Sequence, residues 1–211
     1  MKQKSFEYKI PSKNEIGDFY VSNSNYDAYN YVMNGKKFIN YSIIYGPEKS
    51  GKTHLGLIWK KNNNAITFNF KNFSKSYEIN NNIFIDNFIE YIDEENLFHL
   101  INHCYNNNLK ILLTSNKTLN EMNFTLKDLL SRLKTFHFIN INEPDEELIF
   151  NLIIKLLFDK QIIINNPEIA SFILNRIDRT YKSINSFIER VDKLSLEKKR
   201  QLTIPLIKDL I

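Results

Sequence analysis

An α/β fold, with a parallel sheet sandwiched by helices and a small all-helical lid domain behind it, is predicted by three features of this 211-residue chain. The first is the octapeptide Gly46-Pro47-Glu48-Lys49-Ser50-Gly51-Lys52-Thr53, which fits G-x-x-x-x-G-K-[ST] and directly follows the apolar run Ser42-Ile43-Ile44-Tyr45. The second is a series of short apolar runs separated by polar or helix-like segments, the pattern of buried parallel strands alternating with helices. The third is a change of character after residue 142, where strand-like runs give way to amphipathic ones.

The first fifteen or so residues alternate charge and aromatics around Pro11 without a sustained period and are read as a flexible tail. A helical patch from about Asn25 to Asn34 comes next, then the strand ending at Tyr45, the loop, and a helix over Thr53 to Lys61. Strand-length runs follow at Ala65 to Phe70, Asn82 to Asp86, Lys110 to Thr114 and Phe136 to Ile141. Asn142-Glu143-Pro144-Asp145-Glu146-Glu147 reads as a helix start. Asn142 or Glu143 serves as cap, Pro144 sits in the first turn, and the acids lie near the positive end of the helix dipole. Beyond it only Gln161 to Ile164 has strand character, and the rest reads as three or four amphipathic helices. The expected layout is a tail over 1–15, an α/β nucleotide-binding domain over 16–142 and a helical lid domain over 143–211.

Composition narrows the class. With 28 basic and 24 acidic residues the net charge is +4, too even to argue for nucleic-acid binding by electrostatics alone. A single cysteine, Cys104, excludes an internal disulfide framework. No stretch approaches the apolar length of a membrane span, and no signal-peptide apolar region follows the first charges. A cytoplasmic protein without a membrane partner is the simplest expectation.

The octapeptide carries the strongest chemistry. Its glycines let the backbone curl so that successive N–H groups face an anion, and the helix that follows adds the positive end of its dipole. Gly46, Pro47, Glu48, Lys49, Ser50 and Gly51 form the cradle, Lys52 reaches the β- and γ-phosphates, and the Thr53 hydroxyl ligates Mg²⁺. The loop alone leaves kinases, GTPases and mechanical ATPases open. Ile83-Phe84-Ile85 ends in Asp86, a carboxylate placed to support the same Mg²⁺. The next residue is Asn87, which cannot accept a proton, so intrinsic hydrolysis is expected to be slow. Asn116, just past the run Lys110 to Thr114, is the polar side chain that would touch a γ-phosphate or its water. His99 and His103 share a helix face, but no third metal ligand accompanies them.

The order of these motifs resembles a known family. Phe19-x-Val-x-x-x-Asn25 precedes the loop; Ile85-Asp86-Asn87, Leu113-Thr114-Ser115-Asn116 and Asp128-Leu129-Leu130-Ser131-Arg132-Leu133 follow it. Together they resemble the AAA+ module of the bacterial replication initiator DnaA. The Asp86-Asn87 pair, the Ser131-Arg132-Leu133 box and the ending Arg200-Gln201-Leu202-Thr203-Ile204-Pro205-Leu206 are more similar to the Hda-type regulators within that DnaA-related group. The resemblance covers Phe19 to Ile211. It implies a protein that binds ADP or ATP with Mg²⁺ and, together with the DNA sliding clamp (the β subunit of DNA polymerase III), promotes ATP hydrolysis on DnaA. Arg132 would then be an arginine finger acting in trans. Lys182 would stand at the position of the lid arginine that senses nucleotide, with Arg179 one turn earlier. Gln3-Lys4-Ser5-Phe6-Glu7-Tyr8 resembles the short extended segment that holds the clamp, Gln3 fixing register and Phe6 and Tyr8 filling a pocket where leucines are usual. The chain is expected to lack DnaA's helix-turn-helix and N-terminal oligomerisation domains, and no direct sequence-specific DNA binding is expected. Two alternatives come from other classes. A DNA-binding initiator or helicase-loader ATPase would act on nucleic acid directly, and a small-molecule kinase would need arginines around the loop that are scarce here.

Overall fold

A computed structural model of the chain describes residues 19–35, 39–70, 79–90, 93–162, 168–198 and 204–208. They fall into two compact units, Asn23–Asn142 and a second made of residues 19–22 together with those from Glu143 onward.

The first unit is built on five strands: β1 (Tyr41–Tyr45), β2 (Ala65–Thr67), β3 (Asn82–Ile85), β4 (Ile111–Ser115) and β5 (His137–Asn140). All pair in parallel, in the order β2-β3-β4-β1-β5. The helices are α1 (Tyr26–Asn34), α2 (Lys52–Asn62), α3 (Glu94–Asn106) and α4 (Lys127–Leu133), with a 3-10 turn at Leu119–Glu121. Strand periodicity decides which helix covers which face. Ile43, Ile83, Ile85, Ile111 and Leu113 join one core with Leu97, Leu100, Ile101 and Cys104 of α3 and Leu129 and Leu133 of α4. On the opposite face Phe84 packs directly against Gly56 of α2, and the hydroxyls of Ser42 and Tyr31, the latter on α1, are 2.6 Å apart. The sheet is therefore covered by helices on both sides, as the continuous apolar runs require. Cys104 is fully buried, and desolvation pushes its thiol up to about 12, so it packs as a small apolar group.

The largest departure from an apolar run is at β2. β2 stops at Thr67, although the Phe68 amide still donates to the Phe84 carbonyl at 2.9 Å. As an edge strand it has one neighbour, and the remaining aromatics pack instead of pairing: Phe68 and Phe70 meet edge to face at 5.1 Å against the core.

The second unit holds four described helices, α5 (Glu146–Asp159), α6 (Glu168–Leu174), α7 (Tyr181–Lys198) and α8 (Ile204–Lys208). They share a core that includes Ile149, Ile153, Leu157, Ile173, Ile184, Phe187 and Ile207. Two local expectations are corrected. The cap of α5 is Asp145, whose Oδ1 accepts the Leu148 amide at 2.8 Å, so Asn142 and Glu143 stand outside the helix and Pro144 precedes the cap. An aspartate three residues before a free amide completes the cap bond, which the asparagine further upstream is too early to make. Gln161 does not begin a strand. It takes a φ of 59° and ends α5 with paired bonds, Gln161 N to Phe158 O at 2.8 Å and Ile162 N to Leu157 O at 2.9 Å. This is a left-handed helix stop that normally favours glycine, held here by burial of Ile162 behind it.

Candidate nucleotide site

The octapeptide loop leaves β1 at the carboxyl edge of the sheet. From β1 the chain passes to α2 on one face, while from β4, its neighbour, it passes to α4 on the other. That divergence opens a crevice at the strand ends, the place where open α/β sheets receive ligands. The loop is anchored there by its first amide, Gly46 N donating to Ser115 O at 3.2 Å. A Cβ at Gly46 would lie 2.6 Å from the Ile141 carbonyl oxygen, so only glycine permits this approach. Gly51 caps α2 in the left-handed region at φ 91°, which turns the chain into the helix directly at Lys52.

Lys52 is folded back onto its own loop. Its Nζ donates to the carbonyls of Gly46 at 2.8 Å and Pro47 at 2.5 Å, with Ser50 Oγ at 3.4 Å. The side chain is almost fully buried. Desolvation pushes its pKa down to about 8, against the opposing pull of the Asp86 and Glu48 carboxylates. A buried ammonium whose hydrogen bonds go to neutral acceptors is a strong attractor for an anion.

Asp86 follows β3 and has both carboxylate oxygens engaged by hydroxyls. Thr53 Oγ1 donates to Oδ2 at 2.8 Å, and Thr114 Oγ1 donates to Oδ1 at 2.6 Å. Thr53 thus gives its proton to a carboxylate and keeps its oxygen lone pairs for a cation. Thr114, fully buried at the end of β4, also accepts the Asn87 amide at 2.7 Å, and its carbonyl accepts the Phe88 amide at 3.0 Å. Sequence reasoning did not assign Thr114 a role. The available signal was a hydroxyl in an otherwise apolar buried strand, which must find a partner. Asn87 takes φ 44° and its Nδ2 donates to Glu90 Oε2 at 2.8 Å.

The structure gathers Gly46, Pro47, Ser50, Gly51, Lys52, Thr53 and Asp86 at this edge, with Glu48 and Lys49 exposed on the rim. Asn116 is exposed one residue beyond β4, whose last residue is in register with Tyr45. Arg132 is elsewhere. It is exposed on the last turn of α4, and its Cζ lies 5.6 Å from the ring centre of Tyr105, which stacks on Tyr41 at 6.2 Å. Tyr41 begins β1 and Gly46 follows its end, so guanidinium and loop stand at opposite strand ends, separated by about 13 Å of strand. In the second unit, Lys182 is exposed at the start of α7 and Arg179 forms an ion pair with Glu146 at 2.5 Å. Gln3, Phe6 and Tyr8 lie outside the described residues.

Comparison with known proteins agrees with this arrangement. Residues 160–211 match the family model described as Hda, lid domain. The chain is 26% identical to the chromosomal replication initiator protein DnaA of Buchnera aphidicola subsp. Cinara cedri, over 96% of this chain and 53% of that protein. With DnaA of Wolinella succinogenes it shares 28% identity over 92% of its length and 51% of the relative. The chain is thus similar to DnaA over most of its length, and to the Hda lid over its C-terminal quarter. It spans about half the length of the curated relatives it matches. Domain III of the Thermotoga maritima replication initiation protein DnaA superposes with a TM-score of 0.77 at 18% identity, covering 95% of this chain and 96% of that one. The replication initiator DnaA solved with AMPPCP and single-stranded DNA has a TM-score of 0.69 at 20% identity, covering 91% and 69%. No described helix is long and apolar enough to cross a membrane.

Proposed function

We propose that this chain is a nucleotide-binding regulator which, with the DNA sliding clamp, promotes ATP hydrolysis on DnaA and so restrains re-initiation of chromosome replication. The observation that carries the reading is the exposure of Arg132 at the strand end opposite its own phosphate-type loop. An arginine so placed serves a nucleotide on another molecule. The Hda-type lid and the DnaA relatives supply the class of partner.

The residues at the loop fit an adenine nucleotide with Mg²⁺. Loop amides and Lys52 would hold the phosphates, Lys52 exchanging two carbonyl acceptors for charged oxygens, and Thr53 and Asp86 would hold the cation. The cation, when bound, neutralises charge between the β- and γ-phosphates. Asn87, the residue after Asp86, cannot accept a proton and its side-chain amide is engaged by Glu90, so nucleotide is retained here and turned over slowly. On the partner, Arg132 would stabilise charge on the γ-phosphoryl oxygens in the transition state, an effect on the order of 10³ to 10⁵ in rate in other systems. Gln3, Phe6 and Tyr8 would dock on the clamp in extended form, Asn116 would contact the γ-phosphate region, and Lys182 would be the nucleotide-sensing cation of the lid.

The test is single-turnover hydrolysis of ATP preloaded on DnaA, with clamp loaded on DNA. Wild type should accelerate the reaction and Arg132→Ala should not, while keeping its melting temperature and its own nucleotide affinity. Equal acceleration by both refutes the finger. Ala at Gln3, Phe6 and Tyr8 should remove clamp retention without changing the melting temperature. A second reading, a loader or initiator acting on nucleic acid, is favoured by the structural neighbour solved with single-stranded DNA. Salt-dependent single-strand binding by this chain, together with no effect on DnaA, selects it.

A further inference from the structure

Arg132 has no ion pair among the described residues; what meets it is the ring of Tyr105. We infer that Tyr105 is a positioning residue for Arg132, an aromatic rest that fixes the guanidinium in the outward pose from which it enters a partner's nucleotide site. The inference rests on the trans-acting role proposed above.

Three observations carry it. Tyr105 is 59% exposed, among the most exposed large apolar side chains of the first unit, on a helix whose inward face is otherwise well buried. Its position is fixed from beneath: the ring stacks on Tyr41 at 6.2 Å and 24°, and Tyr41 in turn meets the buried ring of Phe136 at 5.5 Å. Phe136 lies four residues after Arg132, just past the turn in which the Arg132 carbonyl accepts from the Thr135 amide at 3.0 Å and the Thr135 hydroxyl at 2.7 Å. The ring that meets Arg132 is therefore linked to the core through Tyr41, which stacks on it and meets Phe136 at a tilt of 39°. The chemistry of the contact matters most. A carboxylate would hold an arginine equally still, yet it would neutralise the charge and occupy the N–H donors that a phosphoryl group needs. A ring attracts the cation through its quadrupole and consumes no N–H. The guanidinium is thereby restricted in its rotamers beforehand, which lowers the ordering cost of seating it on the phosphoryl oxygens in the transition state.

Tyr105→Leu keeps an apolar residue of similar reach and removes the π face; Tyr105→Phe keeps the face and removes only the hydroxyl. In the DnaA single-turnover assay with the full chain and clamp on DNA, Tyr105→Leu should lower the maximal rate about two- to fivefold, the effect of one exposed cation–π contact. The half-saturating concentration of regulator, its melting temperature and its own nucleotide affinity should stay at wild-type values. Tyr105→Phe should restore the wild-type rate. A wild-type rate in Tyr105→Leu, or a rate in Tyr105→Phe as low as in Tyr105→Leu, overturns the inference while leaving the Arg132 reading intact. If wild type itself fails to stimulate DnaA, the functional reading falls, and the contact is judged by NMR. The Arg132 Nε–H resonance should be shifted by the ring current in wild type and in Tyr105→Phe, and should return to the ordinary arginine value in Tyr105→Leu. An ordinary value in wild type overturns the inference.

Discussion

The Lys52 ammonium lies 2.8 Å from the carbonyl oxygen of Gly46, inside the loop whose amides it would assist in holding phosphate. Cation and loop are therefore in a self-satisfied state, and an incoming anion has to replace those carbonyls. Burial has lowered the Lys52 pKa to about 8, so part of the population is neutral in mildly alkaline solution.

A proton-linked binding reaction follows. A polyphosphate beside Lys52 favours the ammonium and raises its pKa, so ADP binding at pH 8.5 should be accompanied by proton uptake and at pH 6.5 by none from this group. Calorimetry in two buffers of different ionisation enthalpy should show the uptake in wild type, and affinity should fall as pH rises above 8. In Lys52→Ala both the linkage and most of the affinity should vanish. The same shift bears on stability without ligand: the unfolded chain binds more protons between pH 8 and the ordinary lysine value, so stability contributed by this group rises with pH across that window.

Thr114 should matter to the cation and not to the phosphate. Replacing it by Val removes the 2.6 Å bond to Asp86 Oδ1 and the acceptor of the Asn87 amide, at nearly constant volume. Asp86 then loses one of its two restraints. Affinity for nucleotide in EDTA should stay near wild type, whereas the gain in affinity on adding Mg²⁺ should shrink severalfold. A full Mg²⁺ effect in Thr114→Val would show that Thr53 alone orients the carboxylate.

What could be read in advance divides along physical lines. The loop was legible because backbone geometry dictates its glycines: Gly46 tolerates no Cβ and Gly51 needs a positive φ. The strands were legible because burial on both faces leaves uninterrupted apolar runs, as in β4, where all five residues are buried. The hydroxyl that completes the Asp86 cluster was not. Thr53 and Asp86 are 33 residues apart, and Thr114 joins them only because β4 lies between β3 and β1. Local chemistry also misled where three residues competed for one role: Asp145 won the cap from Asn142 and Glu143 through its bond to Leu148. At Gln161 a rare left-handed residue ended a helix where the apolar run suggested a strand.

Gly56→Ala sets two effects against each other. Alanine improves helix propensity by about 1 kcal/mol in the middle of α2. The new methyl, however, would lie 2.2 Å from two ring carbons of Phe84, which is almost fully buried in β3. Overpacking of this kind costs about 1 to 3 kcal/mol, so net destabilisation is expected in urea melts. Phe84→Leu in the same background should recover part of it.

Glu94 holds the start of the helix that carries Arg132. Its carboxylate accepts the Leu126 amide at 2.7 Å, and the Thr125 amide and hydroxyl at 3.0 and 2.9 Å. Since α4 has no cap from its own N-cap residue Leu126, the glutamate from α3 does that work across 32 residues. The Leu126 amide, followed by the Thr125 donors, holds the Glu94 carboxyl below the usual glutamate range. Glu94→Ala should cost about 1 kcal/mol, the ordinary value of a lost helix cap, and hydrogen exchange at Leu126 should accelerate. The pH dependence has a definite sign. With the folded pKa below the unfolded one, the unfolded chain binds more protons between them, so the stabilisation is complete above the ordinary glutamate value and fades as pH falls through the depressed one. The stability gap between wild type and Glu94→Ala, measured by urea titration, should be constant near neutrality and shrink in acid. A gap that stays the same down to pH 3 would mean that Glu94 acts by packing and not as an ionised cap.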